Sequence, residues 1–264
     1  MVIDFHTHAF PNTLAPRALD TLVKACGNIL TPCTDGTISG LTEKMDEFGV
    51  DISVLQPVIT KASQLETLNR WAASVQSDRI ISFGGIFPHT ETYKADIDFV
   101  ASLGLKGLKF HVEYQGFVLD EPKMLRIYDY AFDKGLMVLH HAGFDPAFKP
   151  PFRSSPKQFQ NVAKQMRGGV LIAAHFGGQS QWNEVEEYIV GENIYIDTSM
   201  GSEYYSSEQF ERIVKAHGAD KVLFASDSPW SYASKEIEAL NATSLSEAEK
   251  KMILSENAKR LLKI

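Results

Sequence analysis

Val2-Ile3-Asp4-Phe5-His6-Thr7-His8 opens the chain as a short apolar run ending in His-x-His. In a strand, residues i and i+2 face the same side, so His6 and His8 are expected to aim two imidazoles at one point. Imidazole is a common ligand of zinc and similar divalent metals. Two histidines do not make a catalytic site. The rest of the chain must supply further ligands and a scaffold that gathers them.

Outward from residues 2–6, which read as a buried strand, apolar β-rich runs alternate with helical periods. Further strands are expected at 51–57, 79–87, 105–110, 136–139, 169–174, 193–197 and 221–225. Helices are expected at 15–25, 41–48, 64–76, 92–103, 121–134, 155–166, 182–190, 208–217, 235–240 and 245–262. Strands that alternate with helices imply parallel βαβ units, and eight of them imply a closed (β/α)8 barrel. The strands are apolar nearly throughout, as strands covered on both faces should be. The expected fold is therefore α/β, a TIM barrel, as a single domain over residues 1–264; such barrels commonly reach this length undivided. The connection 7–39 begins at the two histidines and holds Pro11, Pro16, Gly27 and Pro32. Loops that long are usually functional, so it is expected to be a lid or wall over the site. A variable insertion without a role is the plainer alternative.

Composition narrows the partners. Hydrophobic residues make up 44% and charged residues 22% of the chain, ordinary values for a globular protein. The net charge of -7 argues against nucleic acid or an anionic membrane, which call for a basic face. A small-molecule substrate is expected instead, and a homodimer is the default assembly. Cys26 and Cys33 do not make a disulfide framework, and two reduced thiols suit a cytosolic protein. Neither a membrane-spanning run nor a signal segment is read in the sequence, so a cytoplasmic location is expected.

Seven of the eight histidines, namely His6, His8, His89, His111, His140, His141 and His175, fall at or just after an expected strand end; only His217 does not. Asp227 adds a carboxylate at the end of the eighth strand. In a (β/α)8 barrel these ends form the catalytic face. A lone histidine after a strand is more often a hydrogen-bonding loop residue than a ligand, and His89, beside Pro88, fits that plainer description. Asp227 could cap a helix, but its strand-end position coincides with the histidine cluster. Only one of His140 and His141 can face the barrel axis, because neighbours on a strand point to opposite faces. Lys109 and His111 share an i, i+2 relation, so both could look into the site; an ion-pair role for Lys109 is the alternative.

With these residues in place, the chain resembles the amidohydrolase superfamily. Within it, the chain is most similar to the amidohydrolase-related group that includes aminocarboxymuconate-semialdehyde decarboxylase. The resemblance covers the whole chain. It is carried by Asp4-Phe5-His6-Thr7-His8, by Gly107-Leu108-Lys109-Phe110-His111 with Tyr114-Gln115-Gly116, and by His141-Ala142-Gly143. Further on it rests on Ala174-His175-Phe176-Gly177-Gly178, Asp197-Thr198-Ser199, Phe224-Ala225-Ser226-Asp227-Ser228-Pro229-Trp230 and the closing Glu256-Asn257-Ala258-Lys259-Arg260-Leu261-Leu262. The resemblance implies a divalent metal held by His6, His8, His141 and Asp227, with His140 in reserve for the fifth strand. It implies that His175 acts on the substrate or the water, and that His111 and Gln115 lie on the substrate side. Some superfamily members bridge two metals with a carboxylated lysine on the fourth strand. Lys109 stands where such a bridge would form, although the closer group usually lacks it.

Three imidazoles and a carboxylate leave a divalent metal with an open position, and such a metal lowers the pKa of a water there to about 7. Zinc is the expected metal; manganese, iron and cobalt suit the same nitrogen and oxygen donors. Asp227 is the expected proton carrier and His175 the group that steadies a developing oxyanion. Lys109, His111 and Arg153 are candidates to meet a substrate carboxylate. The leading expectation is a metal-dependent hydrolase of an amide, lactone or ester-like bond in a small polar compound. A non-oxidative decarboxylase of a small aromatic or unsaturated carboxylic acid would use the same residues. A non-catalytic metal-binding barrel is the third reading. The loops offer Phe144, Phe148, Phe152, Trp182, Tyr204, Tyr205 and Trp230 as walls of an aromatic-friendly pocket, or as plain loop packing.

Overall fold

The computed structural model describes residues 1–166 and 168–264. Its strands are β1 Ile3–Thr7, β2 Ile52–Leu55, β3 Ile80–Ser82, β4 Gly107–Phe110, β5 Met137–His140, β6 Leu171–Ala173, β7 Tyr195–Asp197 and β8 Val222–Leu223. Neighbours pair in parallel along β1-β2-β3 and along β4 to β8. Two seams join these sheets into a ring. Between β3 and β4, Gly84 donates to Gly107 O at 2.8 Å and Lys109 donates to Gly84 O at 2.9 Å. Between β8 and β1, Phe5 donates to Phe224 O and Asp227 donates to His6 O, both at 2.9 Å. The protein is a TIM barrel.

The helices are α1 Ala15–Ala25, α2 Ile38–Phe48, α3 Leu65–Ser74, α4 Tyr93–Ser102, α5 Val112–Gln115, α6 Pro122–Asp133, α7 Pro156–Gln165, α8 Trp182–Tyr188, α9 Ser207–His217, α10 Ala233–Ala242, α11 Glu247–Lys251 and α12 Asn257–Leu262. Local chemistry sets their ends. Ser155 and Gln158 form a capping box at the start of α7, and Gly49 closes α2 at φ 72°, a left-handed backbone that glycine adopts without strain.

Strand alternation divides the core in two. Ile3, Phe5, Val54, Ile81, Phe83, Met137, Leu139, Ile172, Ala174, Leu223 and Ala225 fill the barrel interior. Leu108, Phe110, Val138 and Ala173 face the helices. Gly107 leaves room for this packing, since a Cβ there would stand 2.5 Å from the Phe83 ring. Several strands are shorter than the apolar runs that announce them. β3 stops before Gly84-Gly85 because the buried Asn69 of α3 takes over the Gly85 backbone, accepting its N–H and donating to its carbonyl at 2.9 Å each. β8 stops after Leu223 because Phe224 N donates to Ile253 O at 2.9 Å. Ile253 lies in the π-turn Met252–Glu256 that interrupts the expected continuous helix 245–262.

His140 is corrected as the reserve ligand. It alternates outward with Val138, stacks on Phe110 at 5.0 Å, and is flanked by Phe117, Tyr128 and Phe159. Neither ring nitrogen has a partner, and burial holds its pKa well below the usual imidazole range. An unpaired buried polar group costs about 1–3 kcal/mol. His140→Leu is therefore expected to raise the denaturation midpoint by a free energy of that order while metal content stays unchanged. A loss of bound metal in this variant would contradict the assignment.

Glu236, in the first turn of α10, ties the loop after β7 to the barrel. It is 4% exposed and accepts from Ser202 N at 3.2 Å and Ser202 Oγ at 2.9 Å. Burial pushes its carboxyl pKa up from 4.5 to about 8. The folded chain thus holds a proton that the unfolded chain releases across this window, so this group makes stability fall as pH rises from about 4.5 to 8. Glu236→Gln should remove that contribution. Urea midpoints at several pH values in the window should show the variant gaining on the native chain as pH rises; a constant difference would refute the account.

Candidate metal centre

The site begins with an irregularity in β1. Ile3 and Phe5 point into the barrel core, so strict alternation would turn His6 outward. The register between β1 and β2 shifts between Asp4 and Thr7. A bulge of this kind places an extra residue in one strand and re-aims the next side chains, and His6 and His8 both come to the axis.

Their donor atoms converge with that of Asp227. His6 Nε2 and His8 Nε2 are 3.2 Å apart, and Asp227 Oδ1 lies 3.4 Å from the first and 3.1 Å from the second. A tetrahedral metal with ligands at about 2.0–2.1 Å spaces its ligand atoms ~3.3 Å apart. The three residues thus fit a divalent cation, and the protonation pattern agrees. His6 Nδ1 donates to Asp197 Oδ2 at 3.0 Å, which leaves Nε2 unprotonated, as in the carboxylate–histidine pairs of metal sites. Burial and the Lys109 ammonium depress the His6 pKa to about 4, so the ring is neutral.

Asp227 sits at φ 68°, a backbone that costs energy outside glycine. The surroundings hold it there: Asp227 N donates to His6 O at 2.9 Å and Trp230 N donates to Asp227 O at 2.8 Å. Asp4 secures the preceding residue by accepting from Ser226 N at 2.9 Å and Ser226 Oγ at 2.5 Å. Although burial would raise it, His6 and His8 hold the Asp227 carboxyl below the usual carboxylate range. Asp197 is also buried, yet the His6 and His175 imidazoles and the Ser199 hydroxyl hold it down to about 2.

Beside this group, His175 Nε2 and His141 Nδ1 are 3.0 Å apart, and His175 Nδ1 lies 3.0 Å from Ser199 Oγ. His141 therefore does not stand in the tight trio. It belongs to a neighbouring group with His111 and Asp145, in which His111 Nε2 is 3.0 Å from Asp145 Oδ2 and the two histidine rings stack at 4.2 Å. The buried His141 Nε2 has no partner; that nitrogen is the one it would offer a metal. Lys109 is buried with Nζ 2.7 Å from His6 Nε2, and burial lowers its pKa to about 8.

Two expected substrate-side residues have other tasks. Gln115 spends its whole amide on backbone: Nε2 donates to Ile59 O and Ile86 O at 2.7 and 3.0 Å, and Oε1 accepts from His111 N at 2.9 Å. It is a brace for three loops, correcting its placement against substrate. Arg153 is half exposed and turns towards Glu113. His89 Nε2 donates to Gln115 O at 2.7 Å, matching the plainer description. Among the aromatics, Tyr205 packs on Trp182, Phe176 and Phe210, whereas Tyr204 and Trp230 line a cavity. Sequence reasoning missed Asp4, Asp145, Asp197 and Ser199 as working residues. Asp197 carries the same signal as Asp227, a carboxylate at a strand end; Asp145, on a loop after Gly143, carries none.

Comparisons with known proteins place this fold. No curated protein sequence matches the chain. It is similar in fold to 5-carboxyvanillate decarboxylase from Novosphingobium aromaticivorans, solved with manganese and 4-hydroxy-3-methoxy-5-nitrobenzoic acid, at TM-score 0.77 and 15% identity, covering 100% of this chain and 96% of that one. It is likewise similar to 2,6-dihydroxybenzoate decarboxylase from Rhizobium, at TM-score 0.71 and 18% identity with 99% and 98% covered. A TIM-barrel protein from Bordetella bronchiseptica gives TM-score 0.76 and 17% identity with 99% and 98% covered. Among the described residues, no helix is long and apolar enough to cross a membrane. The model of the amidohydrolase family matches residues 3–264, and the chain belongs to that family.

Proposed function

We propose that this amidohydrolase-family enzyme is a metal-dependent, non-oxidative decarboxylase of a small aromatic carboxylic acid. The observation that carries the reading is the convergence of His6, His8 and Asp227 in a barrel whose fold is shared, over the full chain, with decarboxylases of substituted benzoates. Hydrolysis, the leading expectation from sequence, would use the same residues; the likeness to decarboxylases shifts the choice.

His6, His8 and Asp227 would hold the cation, with His141 the fourth candidate through its unpartnered Nε2. Zinc and manganese both suit these donors. When bound, the cation supplies positive charge that holds an anionic oxygen of the substrate and draws electron density from it. Asp197 fixes the His6 ring and its tautomer through the 3.0 Å contact. Ser199 holds His175 in place. Lys109 adds a buried positive charge beside His6, suited to a carboxylate. Decarboxylation needs one proton at the ring carbon; the electrons of the breaking C–C bond return to the ring as carbon dioxide leaves. Asp227 and His175 are the groups placed to carry that proton. Water is not consumed.

Metal-loaded protein offered hydroxybenzoates should release carbon dioxide in step with acid consumed. Turnover with uptake of water and no carbon dioxide would overturn the assignment in favour of a hydrolase. Asp227→Asn should lower the rate by on the order of 10²–10⁴, the usual scale for a lost proton carrier, and His6→Ala should abolish tight metal binding. Full activity in either variant would refute the site. Asp197→Asn should weaken metal binding by about 10–100-fold, the usual effect of losing a partner behind a ligand, measured by competition with a chelator.

A further inference from the structure

A cavity of about 640 Å³ opens between the turn α5 and the β5–α7 connection. That volume lies within the ~300–1,000 Å³ typical of small-molecule sites. Val118, Phe148 and Phe152 give it apolar walls, and Glu113, Lys149 and Arg153 give it charge. None of its walls is a metal donor, so it stands apart from the centre. Phe148 marks how near the two are. Its ring centroid lies 4.8 Å from that of Tyr114 and 6.4 Å from that of His111, which stacks on His141.

Arg153 is built into this wall. The Glu113 side chain, 6% exposed, accepts from Arg153 N at 2.7 Å through Oε1 and stands 3.8 Å from Arg153 Nε through Oε2. Arg153 O accepts from Leu119 N at 3.1 Å, so both backbone groups of the residue are fixed. A Cβ on Gly116 would stand 3.7 Å from Arg153 Nη1; the guanidinium therefore lies over the end of α5. Among the described residues, the guanidinium makes no hydrogen bond and faces no acid besides Glu113. Lys149, also among the described residues, pairs with no acid. Two cations against one carboxylate leave an excess of one positive charge on these walls, in a chain whose net charge is -7. One bound carboxylate would bring the walls to zero, and a guanidinium offers the parallel N–H pair that receives it with two hydrogen bonds.

We propose that this cavity is a second, metal-independent docking site, which takes a flat organic carboxylate on the Arg153 guanidinium and Lys149, between Phe148 and Phe152. Glu113 is the positioning residue: it spends its carboxylate on Arg153 and so aims the guanidinium. The site goes beyond the decarboxylase reading and does not depend on it, because an acid released by hydrolysis would dock there in the same way.

The test is calorimetric titration of the full chain with benzoate, acetate and inorganic phosphate, on metal-loaded protein and on protein stripped of metal by a chelator. Benzoate is expected to bind the stripped protein, and to bind it more tightly than acetate or phosphate, because the two phenylalanine rings receive its apolar body. Arg153→Gln should weaken that binding about tenfold, the effect of losing a hydrogen bond to a charged group. Arg153→Lys should weaken it too, since an ammonium keeps the charge without the planar fork. Lys251→Gln removes the same charge at the end of α11, outside the cavity, and should leave binding unchanged. Metal content of the loaded protein should be the same in all three variants. Benzoate binding that requires the metal, that survives Arg153→Gln, or that acetate and phosphate equal overturns the proposal, and so does the absence of binding. All these readouts are of binding, so carbon dioxide release decides the decarboxylase reading separately.

Discussion

The hydrogen bond from Asp227 N to His6 O, 2.9 Å long, does two things at once. It is part of the seam that joins the last strand to the first and so closes the barrel. It also sets the Asp227 carboxylate against the two imidazoles of β1. Fold and site are therefore one construction: opening the seam would separate the donors, and moving the donors would break the seam. That coupling explains the left-handed backbone at Asp227. The strain of such a residue persists only where the surroundings over-determine it, and here Asp4, Ser226 and Trp230 do so.

From this seam the ordering passes inward along hydrogen bonds. Asp197 holds His6 by Nδ1, accepts from Ser199 Oγ at 2.5 Å and accepts from His175 N at 3.0 Å. Ser199 reaches His175, and His175 reaches His141. One buried carboxylate at the end of β7 thus orients residues from β1, β6 and, through His175, β5. Each imidazole in the chain has its tautomer set by the next, which is what a metal ligand requires of its outer nitrogen. The weight falls on Asp197, although it would touch neither metal nor substrate.

How much of this was legible in the sequence depends on how local each feature is. Apolar runs and helix stops report on residues a few positions apart, so the eight strands and the barrel could be read directly. Strand alternation likewise separates His140 from His141, since Val138 and His140 share the outward face. The His-x-His pair was legible for a partly wrong reason: regular alternation with Phe5 would have turned His6 away, and the bulge that corrects it leaves no mark in the sequence. Gln115 looked like a substrate residue because its position resembles one, but which backbone carbonyls its amide meets depends on loops far apart in the chain. Asp145 met His111 across a similar gap. Long-range pairs made by loops are where local patterns stop.

The charges at the centre give a reason for its composition that goes beyond ligand counting. Asp197 and Asp227 are both held ionised, the first down to about 2. Lys109 carries the one buried ammonium beside them, and His6 is neutral. Among these three groups alone, two carboxylates against one ammonium leave an excess of one negative charge beside the imidazoles, which would disfavour an anionic ligand. On the proposed reading, a divalent cation held by His6, His8 and Asp227 would bring these three groups to one net positive charge. On the decarboxylase reading, only then would a carboxylate find a compensating charge there, since an uncompensated buried charge is costly. On that reading the metal would serve substrate entry as well as chemistry, and Lys109 would complete the change of sign: with a neutral side chain there, the same cation would bring these groups only to zero.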